Sequence, residues 1–214
     1  MTSPTSVSTR AATSVVTAER FDAAPSYADY LASLVINRDK FQHYAGTVQL
    51  SDDDVACFRQ LAERSDGPAR LLVIGEAWCP DVFRGVPVFA QIAEACGMAM
   101  KMVGRDDNPD IMNEFLLSGT ARAIPVAVFY TRDHRYIAHW TERPAVANAV
   151  VARIKADFAA AHPDLNMKAP GPDGMKIITG FFDARLPEHY PAWQRETIRE
   201  VRDLLTSAVG VASA

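Results

Sequence analysis

The spacing of apolar residues changes several times along this chain, and each change marks an element. Between Ser26 and Thr47, the residues Tyr27, Tyr30, Leu31, Leu34 and Val35 fall near helical spacing and predict one or two helices. The apolar stretch from Thr47 to Leu50 reads as a short edge strand. Ser51 suits an N-cap, and Asp52, Asp53 and Asp54 crowd the first turn of the helix that follows, where the helix dipole favours negative charge. Phe58 and Leu61 mark the core face of that helix, and Gly67-Pro68 breaks it.

Leu71-Leu72-Val73-Ile74 is a continuous apolar run, the pattern of a strand covered on both faces. A helix through about Cys96, a strand from Met98 to Val103 and a helix from Asn108-Pro109 to near Ser118-Gly119 follow. Strands over Pro125 to Tyr130 and Arg135 to Trp140 flank a polar turn, Thr131 to His134. A helix from Pro144 to Ala161 completes this set. The first two strands should be parallel with a right-handed crossover, and the last two an antiparallel hairpin. Residues 162–186 hold Pro163, Pro170, Gly171, Pro172 and Gly174 and read as a long loop. Ile198, Val201, Leu204 and Leu205 give an amphipathic terminal helix from Pro187 to about Val209.

The pattern divides the chain into a disordered tail (1–20), a helical extension (21–46), an α/β domain (47–161) and a loop with a C-terminal helix packed on the domain (162–214). The first twenty residues are rich in Ser, Thr and Ala and have no apolar stretch of the secretory type. A length of 214 residues with 49% hydrophobic and 22% charged residues matches an ordinary globular protein. The net charge of −4 offers no broad surface for nucleic acid, and no apolar run approaches the roughly 20 residues that span a bilayer. Three cysteines are too few and too odd in number for a disulfide framework, so a reducing cytoplasm is expected. The five histidines show no metal-ligand spacing with the cysteines, so neither a metal nor another cofactor is expected.

The chemistry concentrates in Glu76-Ala77-Trp78-Cys79-Pro80-Asp81-Val82, between the buried strand and the helix after it. A thiol reacts as its thiolate, and unpaired N–H groups at a helix N-terminus stabilise that anion. Pro80 suits the first helical turn, where its missing N–H costs no bond. Asp81 opposes the thiolate by charge, and Arg84 is a candidate to offset it.

Ile124-Pro125 opens an apolar strand 46 residues beyond Cys79. A strand, a Trp-Cys turn and a helix, followed at this distance by Ile-Pro, resemble the thioredoxin superfamily. Arg105-Asp106-Asp107-Asn108-Pro109, Arg122-Ala123-Ile124-Pro125 and Trp140-Thr141-Glu142-Arg143-Pro144, in this order, narrow the resemblance to a bacterial thioredoxin-like subgroup with a Trp-Cys-Gly-Asp type motif. The resemblance covers roughly residues 47–160.

That resemblance implies a thioredoxin-like α/β fold: a central mixed sheet flanked by helices, here with added terminal helices. It implies that Cys79 is the catalytic thiol, that Pro125 is a cis-proline lying against it, and that Ile124 offers its backbone to an extended substrate. Trp78, Pro80 and Arg122 would border the substrate, with Glu76 and Asp81 in support. Pro87 stands where thioredoxins carry a helix-kinking proline.

The departures are chemical. A dithiol motif places a second thiol three residues after Cys79, and this chain has Val82 there. Thioredoxins carry a buried acid in the strand before the motif, while Leu71 to Ile74 holds none; Glu76 is the nearest carboxylate. Thr131-Arg132-Asp133-His134 replaces the Gly-Gly that holds glutathione in glutaredoxins, which argues against a glutathione site. Cys96 lies 17 residues beyond Cys79 along one predicted helix, about 25 Å away and out of disulfide reach. Cys57 and Cys96 read as small core hydrophobes. Of the acidic loop Arg105–Asp107, capping of the next helix is the expected role, ahead of substrate binding.

Three readings of the motif follow: a one-cysteine exchange enzyme, an enzyme with a distant resolving thiol, or a protein- or peptide-binding module in which Cys79 is incidental. The partners implied are a protein or a low-molecular-weight thiol or disulfide; neither nucleic acid nor membrane is expected, and the oligomeric state is left open.

Overall fold

The computed structural model describes residues 14–167 and 169–210. Four strands form one mixed sheet in the order β2-β1-β3-β4: β1 (Arg70–Gly75), β2 (Ala99–Gly104), β3 (Val126–Tyr130) and β4 (Tyr136–Thr141). β1 and β2 are parallel, while β1/β3 and β3/β4 are antiparallel. The continuous apolar run of β1 fits its central place: Leu71 to Ile74 are all buried, paired on one side with Met100 to Val103 and on the other with Phe129 to Val126. The fold class is the expected one, an α/β sheet flanked by helices.

Three short helices precede the sheet: α1 (Ala18–Ala23), α2 (Tyr27–Ser33) and α3 (Arg38–Ala45). The tail expected through residue 20 ends earlier. Residues 1–13 lie outside the described residues, but Val16 and Phe21 are buried, and the Val16 carbonyl meets His134 Nε2 at 2.9 Å in the β3–β4 turn. Periodicity missed this because a single turn of helix carries too few apolar positions to register. Val35 is 96% exposed, in the loop between α2 and α3 rather than on an apolar helix face. The segment expected as an edge strand at Thr47 to Leu50 is irregular chain; it buries Val48 without pairing to the sheet.

α4 (Asp52–Glu63) begins with a capping box in which Ser51 and Asp54 satisfy each other's backbone N–H. α5 (Pro80–Cys96) runs unbroken through Pro87 and ends at Gly97, whose positive φ of 69° closes the helix in the left-handed conformation. α6 is short, Pro109–Asn113, not a helix reaching Ser118; the chain then turns, with Leu117 and Ala121 forming a bridge.

α7 (Ala145–Ala161) and α9 (Tyr190–Ala208) are close to expectation, but the loop expected over 162–186 contains a third helix, α8 (Gly171–Asp183). Its glycines and prolines read as breakers. Pro172, however, stands in the first turn, where proline is tolerated. Burial of an aromatic face compensates for the weak helix propensity: Phe181 packs edge-on to Phe158 of α7 at 5.1 Å, with Phe182 at 6.3 Å. A second apolar cluster, with Ala147, Val151, Ile154, Leu186, Tyr190 and Trp193, therefore joins α7 to the end of the chain, beside the main core around the sheet.

Candidate functional site

Cys79 is the N-cap of α5, with Pro80 in the first turn. The turn is fixed from two sides. The Cys79 N–H donates to the Glu76 carbonyl at 3.0 Å, and Asn37, itself in the left-handed conformation, donates from Nδ2 to the Ala77 carbonyl at 2.9 Å. The N-terminal extension thus reaches the loop that presents the thiol.

The Ile124–Pro125 peptide bond is cis, and it lies against Cys79. The thiol Sγ is 3.9 Å from the Ile124 carbonyl oxygen, within reach of a weak S–H donor. A Cβ built on Gly85 would meet Pro125 Cγ at 3.7 Å, so α5 packs directly on the proline. Cys79, Ile124 and Pro125 are brought together, with Trp78 alongside and 49% exposed.

Val82, three residues beyond Cys79, lies in the first turn of α5. It is fully buried, and its Cγ1 would stand 2.9 Å from a Cβ on Gly75. A side chain at 75 would collide with it, so glycine is required at the end of β1. Cys57, Cys79 and Cys96 are all free thiols. Cys96 sits at the far end of α5, where burial pushes its thiol up to about 11 and Sγ lies 2.6 Å from the Ile92 carbonyl.

The electrostatics around Cys79 do not follow the simplest expectation for a helix N-terminus. Burial pushes the thiol above its ordinary range, and the charge of Asp81 adds to that. The backbone N–H groups of Val82 and Asp81 and the charge of Arg143 act in the other direction without overcoming it. Arg143 is the partner of Asp81: Nη2 is 2.7 Å and Nε 3.2 Å from Oδ2, and Arg143 also pairs with Glu142. Arg84, the candidate to offset Asp81, instead faces Asp183 at 3.5 Å and lies over the Tyr190 ring.

Arg122 does not meet the thiol either. Its guanidinium donates to the Arg105 carbonyl at 3.0 Å, while Arg105 returns a bond to the Arg122 carbonyl at 3.3 Å. Arg105 lies over the Trp78 ring, 5.0 Å from its centroid, and pairs with Asp106. Glu76 accepts the Asp106 N–H at 2.8 Å and so ties the motif to the loop after β2. The expected capping role of that loop is not met, because no side chain caps α6.

Arg143, Asn37 and Arg105 complete the surroundings of Cys79, and none of them was assigned to the thiol from sequence. Arg143 lay within the Trp140–Pro144 motif but carried no role, because an ion pair 62 residues apart leaves no periodic trace. Among the described residues no group of three or more His, Cys, Asp or Glu side chains is placed to hold a metal, and no helix is long and apolar enough to cross a membrane.

Comparison with known proteins agrees with this architecture. No curated protein sequence matches the chain. One similar solved structure is PA1234, a protein of unknown function from Pseudomonas aeruginosa, with a TM-score of 0.57 and 17% identity over 88% of this chain and 95% of the other. An HIV epitope-scaffold matches with a TM-score of 0.57 and 18% identity, over 92% of this chain and 99% of its own. At such identities the likeness concerns the fold. A family model described as thioredoxin matches residues 24–157, a span that includes the Cys79 turn, the cis-proline and part of the N-terminal extension; the chain belongs to the thioredoxin family.

Proposed function

We propose that the protein carries out single-cysteine thiol–disulfide exchange through Cys79, with the mixed disulfide resolved by a thiol from another molecule. The observation that carries this reading is the pairing of a free thiol at the N-cap of α5 with the Ile124 carbonyl at 3.9 Å, while buried Val82 fills the place of an internal resolving thiol.

The step balances simply. Cys79 loses its proton to solvent, and the thiolate attacks one sulfur of a partner disulfide. A bond forms between Cys79 and that sulfur, and the other partner sulfur leaves as a thiolate. An external thiolate then attacks the Cys79 sulfur of the mixed disulfide and releases the second partner sulfur as a thiolate, and a second external thiolate attacks the outer sulfur of the new disulfide and releases Cys79. Over the cycle the partner disulfide is reduced and the external thiols are oxidised. Ile124 and Pro125 border the attacked sulfur, and the half-exposed Trp78 offers an apolar contact. A cycle of this kind belongs in a reducing compartment such as the cytoplasm.

Burial of Cys79 shapes the rate in two ways. It lowers the thiolate fraction at neutral pH but leaves each thiolate a stronger nucleophile. The same burial favours a second reading, in which the Trp78–Ile124 surface binds a peptide and Cys79 is incidental.

The two readings separate in a variant carrying Cys57→Ser and Cys96→Ser, incubated with oxidised glutathione as a generic disulfide and followed by intact mass. Exchange predicts an adduct at Cys79 that an added dithiol releases. Absence of the adduct on the folded chain, when the urea-unfolded chain forms it, would overturn exchange and leave the binding reading.

A further inference from the structure

The loop between α2 and α3 carries apolar side chains that the fold does not use. Leu34 packs against the main core, but Val35 is 96% exposed and Ile36 48%. These two bury little within the chain, yet the loop holds them in one place. Asn37 takes the left-handed conformation at φ 56° and makes no side-chain cap for α3; its amide goes to the Ala77 carbonyl at 2.9 Å instead. Arg38 closes the loop from the other end, donating to the carbonyls of Ala32 and Leu34. A loop fixed at both ends presents its side chains with little ordering left to lose on binding.

The Asn37–Ala77 bond sets Ile36 beside the motif turn, whose own Trp78 is 49% exposed. Val35, Ile36 and Trp78 are thus gathered around one hydrogen bond, two residues from Cys79. Exposed apolar side chains grouped beside a reactive group mark an interaction surface, whereas single ones scattered over a protein do not. The arginines flanking the group are engaged within the chain: Arg38 on the loop carbonyls, Arg105 on Asp106 and the Trp78 ring, Arg122 on the Arg105 carbonyl. With these guanidiniums engaged, what the loop offers a partner is apolar surface.

We infer that the α2–α3 loop is the specificity-determining part of the Cys79 site, and that the partner it selects is a protein disulfide with a bulky apolar residue one or two places from the attacked cysteine. This selectivity rests on the exchange proposed for Cys79. Ala77 stands two residues before Cys79, at most about 8 Å along the chain, and Ile36 adjoins the Asn37 bonded to it. A side chain one or two residues from a partner cysteine seated on Cys79 spans the same distance and lies against Val35, Ile36 and Trp78. A small disulfide made only of charged and polar groups has nothing to place there and gains nothing from the loop.

The test compares two symmetric peptide disulfides of equal charge, those of acetyl-Leu-Cys-Leu-amide and acetyl-Ser-Cys-Ser-amide, on the full chain carrying Cys57→Ser and Cys96→Ser. The Cys79 thiolate bonds to one peptide sulfur and the other peptide leaves as a thiolate, so each reaction adds one peptide to the protein mass. The leucine disulfide should react about tenfold faster than the serine disulfide. Val35→Ser combined with Ile36→Ser should bring the leucine rate to within about twofold of the serine rate and leave the serine rate unchanged. Val35→Ser alone, at a side chain with almost no contact to lose, should give part of that fall. Ile177→Ser, at an apolar position on α8 that is 43% exposed, should change neither rate. Equal rates for the two peptides, a double variant that keeps the preference or slows both peptides alike, or an equal fall with Ile177→Ser overturns the role of the loop while exchange stands. No adduct from either peptide on the folded chain, when the urea-unfolded chain forms both, overturns exchange itself and the selectivity with it.

Discussion

Cys79 sits between two opposed charges, and the balance of its surroundings leaves it a protonated thiol at neutral pH. Burial and Asp81 hold the proton on; the α5 N-terminus and Arg143 pull it off. The Asp81–Arg143 pair is therefore the local control. Asp81→Asn removes a charge that raises the thiol and frees Arg143 from its carboxylate, so the midpoint for Cys79 alkylation should fall. Each unit of fall corresponds to about a tenfold rise in thiolate at pH 7, and the iodoacetamide rate should rise with it. Arg143→Gln should move the midpoint the other way, since it removes the favourable charge and leaves Asp81 uncompensated. An alkylation profile measured against pH in a variant without Cys57 and Cys96 checks both signs; a midpoint that ignores both substitutions would show that the pair does not act on the thiol.

At the scale of elements, the β1–α5 unit presents the thiol, and in the proposed exchange Val82 is the residue that leaves resolution to another molecule. Position 82 is three residues beyond Cys79 on the same helical turn, and valine fills it against Gly75. Val82→Cys replaces a buried side chain by a smaller one, and oxidation of the folded variant should close a disulfide with Cys79. The check is the loss of two titratable thiols relative to the reduced variant; retention of both under oxidising conditions would mean that the turn cannot bring them together.

The same unit explains what was legible in the sequence. A continuous apolar strand, a Trp-Cys-Pro turn and an Ile-Pro strand start are local signals, and their resemblance to the thioredoxin superfamily put Cys79, Ile124 and Pro125 together as a group. Arg143 was not assigned a role, because its link to Asp81 is made by tertiary packing. Arg122 was placed by the family resemblance and Arg84 by proximity in sequence, and each finds another partner in space. α8 was hidden for a different reason: Gly171, Pro172, Gly174 and Gly180 argue against a helix locally, and only the aromatic contacts to Phe158 reveal why one forms.

In the whole molecule, a thioredoxin sheet carries additions at both ends, and each addition touches the region around the thiol. The N-terminal helices hold the motif loop through Asn37 and wall a cavity at the carboxyl ends of β1 and β2. The C-terminal helices brace the other side: Tyr190 and Trp193 line a cleft with Asp81 and Arg143, and Glu200 accepts the Trp140 indole N–H at 2.8 Å. The additions surround a free thiol, Cys79, at the N-cap of α5.

That combination gives the central claim its most direct measurement. The intact chain, with all three cysteines, is reacted with an excess of a chromogenic aromatic disulfide, and the released thiol is counted as the protein mass is followed. External resolution predicts that Cys79 releases a single thiol and keeps its half of the reagent until an added dithiol removes it. A second release with loss of the adduct, leaving Cys79 in an intramolecular disulfide with Cys57 or Cys96, would contradict it.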